Sequence, residues 1–354
     1  MQLPRKHKRV VVKIGSSLFY SDKAKLDESL VNCVSAQVSD LMKEQTEVVI
    51  VSSGAIALGM SILGLDNRPK ELARLQAAAA IGQPELMDIY RKALKARSLT
   101  CAQLLLTWDD FSNRGRFLNV KNTLNTLLKL KVVPVINEND TVSTDEIKFG
   151  DNDRLSALVA ILVGADLLVI LSDVDGLLDE NKKVILLVDK ITAQIKSLAC
   201  PTEKKTCVGG MITKIEAIRI ATSSGIPCVI ANGKKKDIIT QLAADSSSSG
   251  TLFLPAGVCL DAKERWMAFG TKAKGRVIVD EGAKKALLCH KSLLAVGVTS
   301  SEGNFLSGEI ISICDRKKDE FARGKTGVSA KELEKIKGNH FDKEIVHRNN
   351  IVIL

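Results

Sequence analysis

Aromatic side chains are scarce in this chain. They make up 4% of its 354 residues, and only four residues are histidine. Those four (His7, His290, His340 and His347) are far apart, and the eight cysteines are scattered without a C-x-x-C pair, so no zinc-ligand spacing emerges. The cysteines read as reduced, individually buried thiols of a cytosolic protein. Long apolar runs are missing too. The basic stretch from Arg5 to Arg9 is followed only by Val10 to Val12, too short for a secretion signal, and the run from Leu155 to Leu171 is interrupted by Gly164 and Asp166. The expectation is a soluble, cytoplasmic chain that makes no use of a membrane. Two nucleotide fingerprints are also absent: there is no G-x-x-x-x-G-K-[ST], and no G-x-G-x-x-G follows a strand. Asp173-Val174-Asp175-Gly176 lacks the spacing of a calcium loop and reads as a tight turn.

What the chain does have is length, aliphatic residues and alternation. Its length favours two domains. The formal net charge of +10 is compatible with anionic ligands such as nucleotides, or with nucleic acid, without choosing between them. Strand-like runs at Arg9–Ile14, Val48–Ser52, Thr100–Leu106, Val132–Ile136, Leu167–Leu171 and Cys228–Ala231 alternate with helical patterns at Leu26–Lys43, Leu72–Arg97, Asn119–Leu130, Leu155–Val163 and Met211–Ser224. Such alternation predicts a parallel sheet covered by helices on both faces. Near residue 245 the character changes. A serine-rich turn leads to a short strand at Thr251–Leu254, then charged sequence, and from Arg276 onward short apolar segments separated by Gly, Asn or Asp. These favour a small β-rich module.

The most informative stretch lies between Val135 and Ala160. Asn137-Glu138-Asn139-Asp140 and Asp151-Asn152-Asp153-Arg154 bracket a ten-residue loop, the first at the end of a predicted strand and the second at the start of a predicted helix. Ligands of open α/β sheets bind at the carboxyl ends of strands, and amides and carboxylates at this density point to a small polar ligand. One of residues 151–153 can also cap the helix, which explains one polar residue rather than eight. Three glycine-containing strand ends accompany the clusters: Val10–Ser17 with Lys13 and Gly15, Val48–Gly59 with Ser52-Ser53-Gly54, and Gly209–Lys214. The second is expected to form a nest of backbone N–H groups. In the third, Lys214 lies in a helix's first turn against the macrodipole, a position better tolerated where a phosphate sits. Two cations and backbone donors beside a carboxylate-rich pocket suit phosphoryl transfer. No histidine falls in this cleft. A carboxylate acceptor, with a pKa of roughly 4.3, is already ionised at neutral pH and needs no base, although Asp140 or Asp153 could serve as one.

Taken together, V-V-K-I-G-S-S, V-S-S-G-A-I-A-L-G, V-P-V-I-N-E-N-D, I-K-F-G-D-N-D-R-L-S-A-L-V-A, L-S-D-V-D-G-L and G-G-M-I-T-K resemble the motifs of the amino-acid kinase family. The pairing of N-E-N-D with G-D-N-D is similar to that of members acting on free glutamate. R-W-M-A-F-G and V-D-E-G-A extend the resemblance into the second domain, which looks like a PUA domain. The resemblance implies an α/β/α sandwich around a parallel sheet over residues 1–260, a linker over 261–273, and a small β-barrel over 274–354. It implies ATP with Mg²⁺ carried by the ATP phosphates, and phosphorylation of the side-chain carboxylate of L-glutamate at the start of proline synthesis. Lys13 and Lys214 would then stabilise the transferring phosphoryl, and Asp153 would orient them. Ser53, Gly54, Asn137, Asp140 and Asn152 would hold glutamate. Lys13, Gly15, Ser172, Asp173 and the loop Val208, Gly209, Gly210, Met211, Ile212, Thr213 and Lys214 would contact ATP. It further implies a homodimer or tetramer, feedback by proline, functional coupling to glutamyl phosphate reductase, and RNA binding by the PUA domain. That domain has fifteen Lys/Arg against eleven Asp/Glu spread along residues 274–354, a pattern that also fits a solvated face. The family usually has Gly-Thr where this chain has Cys207-Val208, and the charged segment 142–149 is the candidate lid.

Overall fold

The computed structural model describes residues 7–19, 28–143, 152–199, 210–255, 260, 262–271, 273–339 and 344–354. The chain divides into two compact units, Met1–Cys259 and Leu260–Leu354. The expected lid segment falls almost wholly outside the described residues, as do Gly150, Asp151, Cys207, Val208 and Gly209.

In the first unit, strands and helices alternate as the apolar pattern predicts. In chain order they are β1 (Arg9–Ile14), α1 (Glu28–Lys43), β2 (Glu47–Ser52), α2 (Ala55–Ile62), α3 (Leu72–Lys95), β3 (Cys101–Leu106), α4 (Trp108–Ser112), α5 (Arg114–Lys129), β4 (Val133–Glu138), α6 (Asn152–Val163), β5 (Leu167–Ser172), β6 (Leu187–Val188), α7 (Ala193–Leu198), α8 (Met211–Thr222), β7 (Cys228–Asn232), α9 (Ile238–Ala244) and β8 (Thr251–Phe253). Helix α5 begins five residues before the expected Asn119 because Asn113 caps it, its side chain accepting from Arg116 N at 3.1 Å.

The sheet order is β3-β4-β2-β1-β5-β7-β8-β6. From β3 to β7 every pairing is parallel, and β8 joins antiparallel to β7. β1 and β5 are central, and Val10, Val11, Val12 and Leu167 to Leu171 are fully buried, as strands covered on both faces should be. Register brings the carboxyl ends of the inner strands level: Ile14 pairs with both Ser52 and Leu171, and Val51 pairs with Ile136. All the motif residues that follow these strands therefore leave the sheet at one edge.

Helices α2 and α3 touch backbone to backbone. A Cβ on Gly59 would sit 1.7 Å from Ala78 O, and one on Gly82 would sit 1.9 Å from Ala55 O. Only glycine allows that approach. Helix α3 also runs through Pro84, which cannot donate to the carbonyl four residues back; burial of Leu75, Ala78, Ala79, Leu86, Tyr90 and Leu94 along one face holds the helix together across that gap.

The second unit carries β9 (Gly275–Val279), α10 (Glu281–Leu288), β10 (Val298–Gly303), β11 (Ile310–Cys314), β12 (Glu320–Lys325), α11 (Ala330–Ile336) and β13 (Ile351–Ile353), with sheet order β10-β9-β11-β12-β13. The segment 292–298 is one of the short apolar segments of this β-rich module, yet it is not a regular strand. Instead it makes one bridge, Leu293 to Val346, and a short helical turn at Ala295–Gly297, because Leu293, Ala295 and Val298 pack into the core with Leu287. Within the stretch read as a linker, Ala262–Arg265 and Trp266–Gly270 are helical, and Arg323 donates to Ala268 O at 2.8 Å and Thr271 O at 3.0 Å. Arg276, Lys284, Lys318, Arg323 and Lys337 are each ion-paired within this unit, so much of its positive charge is locally neutralised. Among the described residues no helix is long and apolar enough to cross a membrane.

Candidate active site

At the carboxyl edge of the large sheet three charged side chains meet. Lys13 reaches back from the end of β1, Asp153 stands in the first turn of α6, and Lys214 stands in the first turn of α8. Lys13 Nζ pairs with Asp153 Oδ1, and Lys214 Nζ lies 3.3 Å from Asp153 Oδ2. All three are buried, with side-chain exposures of 4%, 0% and 8%. A buried carboxylate needs partners to persist as a charge, and here each oxygen has its own ammonium. Helix α6 also favours Asp153, since a negative charge suits its N-terminus. Lys214 opposes the dipole of α8, and Asp153 offsets that cost. Two cations against one anion leave the cluster with one net positive charge at the strand ends, where an anion is attracted.

Glycine and serine motifs close around this cluster. Gly54 adopts φ +112°, a left-handed conformation that lets the chain turn from β2 into α2, with the ring of Phe19 packed beside it. The nest of free N–H groups expected at Ser52-Ser53-Gly54 is smaller than the sequence implied. Gly15 N donates to Leu171 O at 3.0 Å and Ser53 N to Ile14 O at 3.3 Å, which ties neighbouring strand ends together instead. Ser17 and Ser172 hydroxyls both donate to Asp173 Oδ1, at 3.2 Å and 3.1 Å, joining the β1 and β5 loops. Gly210 caps α8, Thr213 Oγ1 lies 3.3 Å from Asp153 Oδ2, and Ile212 is 43% exposed.

Beside the charged cluster runs a chain of amides. Asn152 Nδ2 donates to Ser52 O (2.7 Å) and Asn137 Oδ1 (2.7 Å), and lies 3.1 Å from Ser53 Oγ. Asn137 Oδ1 also accepts from Glu138 N at 2.9 Å, and Asn137 Nδ2 donates to Gln83 Oε1 at 2.8 Å. Ser52 is fixed in turn from α3. Its hydroxyl donates to Ser53 O (3.1 Å) and accepts from Tyr90 at 2.9 Å; burial pushes the Tyr90 phenol far above its ordinary range, so it remains a donor. The structure thus brings Ser53, Asn137 and Asn152 together as anticipated. Ser52 of the same turn supports them, together with Gln83 and Tyr90, which lie outside every motif.

Asp140 is half-buried on the loop after β4. Burial pushes its carboxyl up to about 6, and the nearby positive charge of Arg68 partly opposes this. Arg68 lies between α2 and α3, outside every motif, so nothing local in the sequence marked it. Burial lowers the Arg68 guanidinium, and Asp140 raises it. Asn139, in the same cluster, turns away and accepts from Thr141.

A buried Lys–Asp–Lys cluster at the carboxyl edge of a parallel sheet offers an anion a charged seat, and sequence comparison gives the chain a lineage. Residues 8–232 match the Amino acid kinase family, and residues 275–347 match the PUA domain. The chain belongs to the amino acid kinase family. Among curated members it is 42% identical over 365 residues to the glutamate 5-kinase of Thermoanaerobacter sp. (strain X514), covering 98% of each chain. It is 43% identical over 369 residues to the glutamate 5-kinase of Dehalococcoides mccartyi (strain ATCC BAA-2266 / KCTC 15142 / 195), covering 98% of this chain and 99% of the other. The glutamate 5-kinase of Citrifermentans bemidjiense is 42% identical over 371 residues, covering 100% and 99%. The chain is thus an amino acid kinase with a C-terminal PUA domain, and the cluster described above lies within the kinase match.

Proposed function

We propose that the protein transfers the γ-phosphoryl group of ATP to the side-chain carboxylate of L-glutamate, forming L-glutamyl 5-phosphate and ADP, the first step of proline biosynthesis. The observation that carries this reading is the Lys13–Asp153–Lys214 cluster standing next to the amides of Asn137 and Asn152. A glutamate carboxylate oxygen attacks the γ-phosphorus, the new O–P bond forms as the bond to the β-phosphate oxygen breaks, and the electron pair leaves with ADP. The acceptor is ionised at neutral pH, so no protein base is required. Lys13 and Lys214 neutralise the charge that spreads over the transferring group, and Asp153 keeps their ammonium groups apart and aimed. Ser53, Gly54, Asn137, Asn152 and Asp140 hold the amino acid; Gly15, Ser172, Asp173 and Gly210 to Thr213 face the nucleotide, with Val208 and Gly209 completing that loop. The divalent ion would be held by the phosphates of the nucleotide. Mg²⁺ bound in that way supplies charge neutralisation at the phosphates.

Purified protein with ATP, Mg²⁺ and hydroxylamine is expected to form hydroxamate from glutamate, to stop when EDTA is added, and to recover with excess Mg²⁺. A clear preference for aspartate or N-acetylglutamate would sink the substrate assignment.

Asp140 gives this reading a pH dependence. Its folded pKa is raised, so folding favours the protonated acid: that contribution is complete below about 3.8 and is lost as pH rises through about 6. Glutamate's ammonium is best met by the ionised form. The glutamate KM is therefore expected to rise about tenfold between pH 7 and pH 5, as the ionised fraction falls. Asp140→Asn should show a high KM that is flat over this window, and a wild-type KM equally flat would remove Asp140 from the substrate site.

Cytoplasmic location, a homo-oligomeric state, feedback by proline at the glutamate pocket and coupling to glutamyl phosphate reductase belong to the same proposal. So does a division into a kinase domain over 1–260 and a PUA-like domain over 274–354, supported by the two compact units.

A further inference from the structure

An amide side chain has a donor end and an acceptor end, and its orientation in a network is set by neighbours that have only one of the two. Two such neighbours anchor the relay beside the lysines. Ser52 O can only accept, so Asn152 must turn its Nδ2 toward it. Glu138 N can only donate, so Asn137 must turn its Oδ1 toward it. These two constraints agree, because the same Asn137 Oδ1 receives Asn152 Nδ2 at 2.7 Å. The polarity then passes to Gln83, whose Oε1 accepts from Asn137 Nδ2 at 2.8 Å.

The outcome at the two ends of the relay differs. At the inner end, Gln83 Nε2 is buried without a hydrogen-bond partner. A lone buried donor is costly, and Gln83 keeps that end unpaired while its Oε1 accepts from Asn137. At the outer end, Asn152 Nδ2 faces all three of its acceptors, and among the described residues nothing donates to Asn152 Oδ1. The carbonyl end of Asn152 is thus kept for a donor from outside the network. Gln83 itself is held by the close crossing of α2 and α3, since its neighbour Gly82 lies against Ala55 O and Gly59 N.

We propose that Gln83 is a positioning residue: its amide oxygen locks Asn137, and through Asn137 it fixes Asn152 with the carbonyl oxygen presented to the α-ammonium of the amino-acid substrate. The ligand rests on the glutamate reading above; the direction of the relay does not. Gln83→Met removes the acceptor and frees Asn137 to rotate. Gln83→Glu keeps an acceptor oxygen in place. With hydroxamate formation as the assay, Gln83→Met is expected to raise the glutamate KM about tenfold while the ATP KM stays within about twofold. Gln83→Glu is expected to recover most of that loss. On an Asn137→Ala background, Gln83→Met should add less than about twofold, because the link it acts through is gone. Gln83→Leu stands in for Gln83→Met if that variant does not fold. An unmoved glutamate KM in Gln83→Met, a parallel rise in both KM values, or a Gln83→Glu enzyme as impaired as Gln83→Met would each overturn the role. A wild type inactive on glutamate would instead sink the substrate assignment, so the two failures are distinguishable.

Discussion

Lys13→Ala is expected to lower turnover by a factor on the order of 10² to 10³ while the protein still folds. That is the usual loss when one preorganised donor to a developing charge is removed. The charge count explains the size of the loss. Lys13, Asp153 and Lys214 together carry one net positive charge; without Lys13 the remaining pair is neutral, and the transferring phosphoryl loses its local field. Folding should survive because Asp153 keeps Lys214 at 3.3 Å. Stability should nevertheless fall, since breaking a buried pair outright costs about 3–5 kcal/mol and here one of two partners remains. Lys214→Ala should behave alike. Asp153→Asn removes the anion between two ammonium groups, and a comparable loss of turnover is expected as the lysines repel and lose their aim. Steady-state turnover with a parallel melting curve checks all three, and near-normal turnover in either lysine variant would dismiss that lysine from the chemistry.

The second large effect lies in the helix crossing. Gly82→Ala places a methyl group 1.9 Å from Ala55 O and 2.4 Å from Gly59 N, both backbone atoms that cannot rotate aside. Ordinary overpacking costs about 1–3 kcal/mol, and a collision with backbone should reach or exceed the top of that range. Because α2 leaves the Ser53-Gly54 turn and α3 carries Gln83 and Tyr90, the same change should raise the glutamate KM. Gly115→Ala is the matched control. It also lies in a helix, but its Cβ would meet nothing nearer than Asn113 Oδ1 at 3.4 Å, so it should stabilise the protein by up to about 1 kcal/mol. Calorimetric melting of the two variants separates them by sign, and a Gly82→Ala protein as stable as wild type would refute the close crossing.

Much of the architecture was legible because periodicity is a property of local sequence. Val10 to Ile14 and Leu167 to Leu171 read as buried strands, and they are the central strands of the sheet. Helices α10 and α11 in the second unit were not read. They span only eight and seven residues, and caps by Asp280 and Ser329 define them more than an apolar stripe does. In the site, Lys13, Asn137, Asn152, Asp153 and Lys214 stood out as polar residues at predicted strand and helix ends. Gln83, Tyr90 and Arg68 did not, because each lies far in sequence from the residue it affects: 54 residues separate Gln83 from Asn137.

Sequence alone determined that this chain builds a parallel α/β sheet with polar and basic residues at its strand ends, since side-chain period and residue type are written locally. Tertiary structure alone decided that one carboxylate, Asp153, is shared by two lysines from different elements, and that the amides beside it all point one way. Pairing and polarity are set by which donors and acceptors meet across the fold. That meeting depends on strand register and on two glycines that bring helices into contact, neither of which any short stretch of the chain encodes.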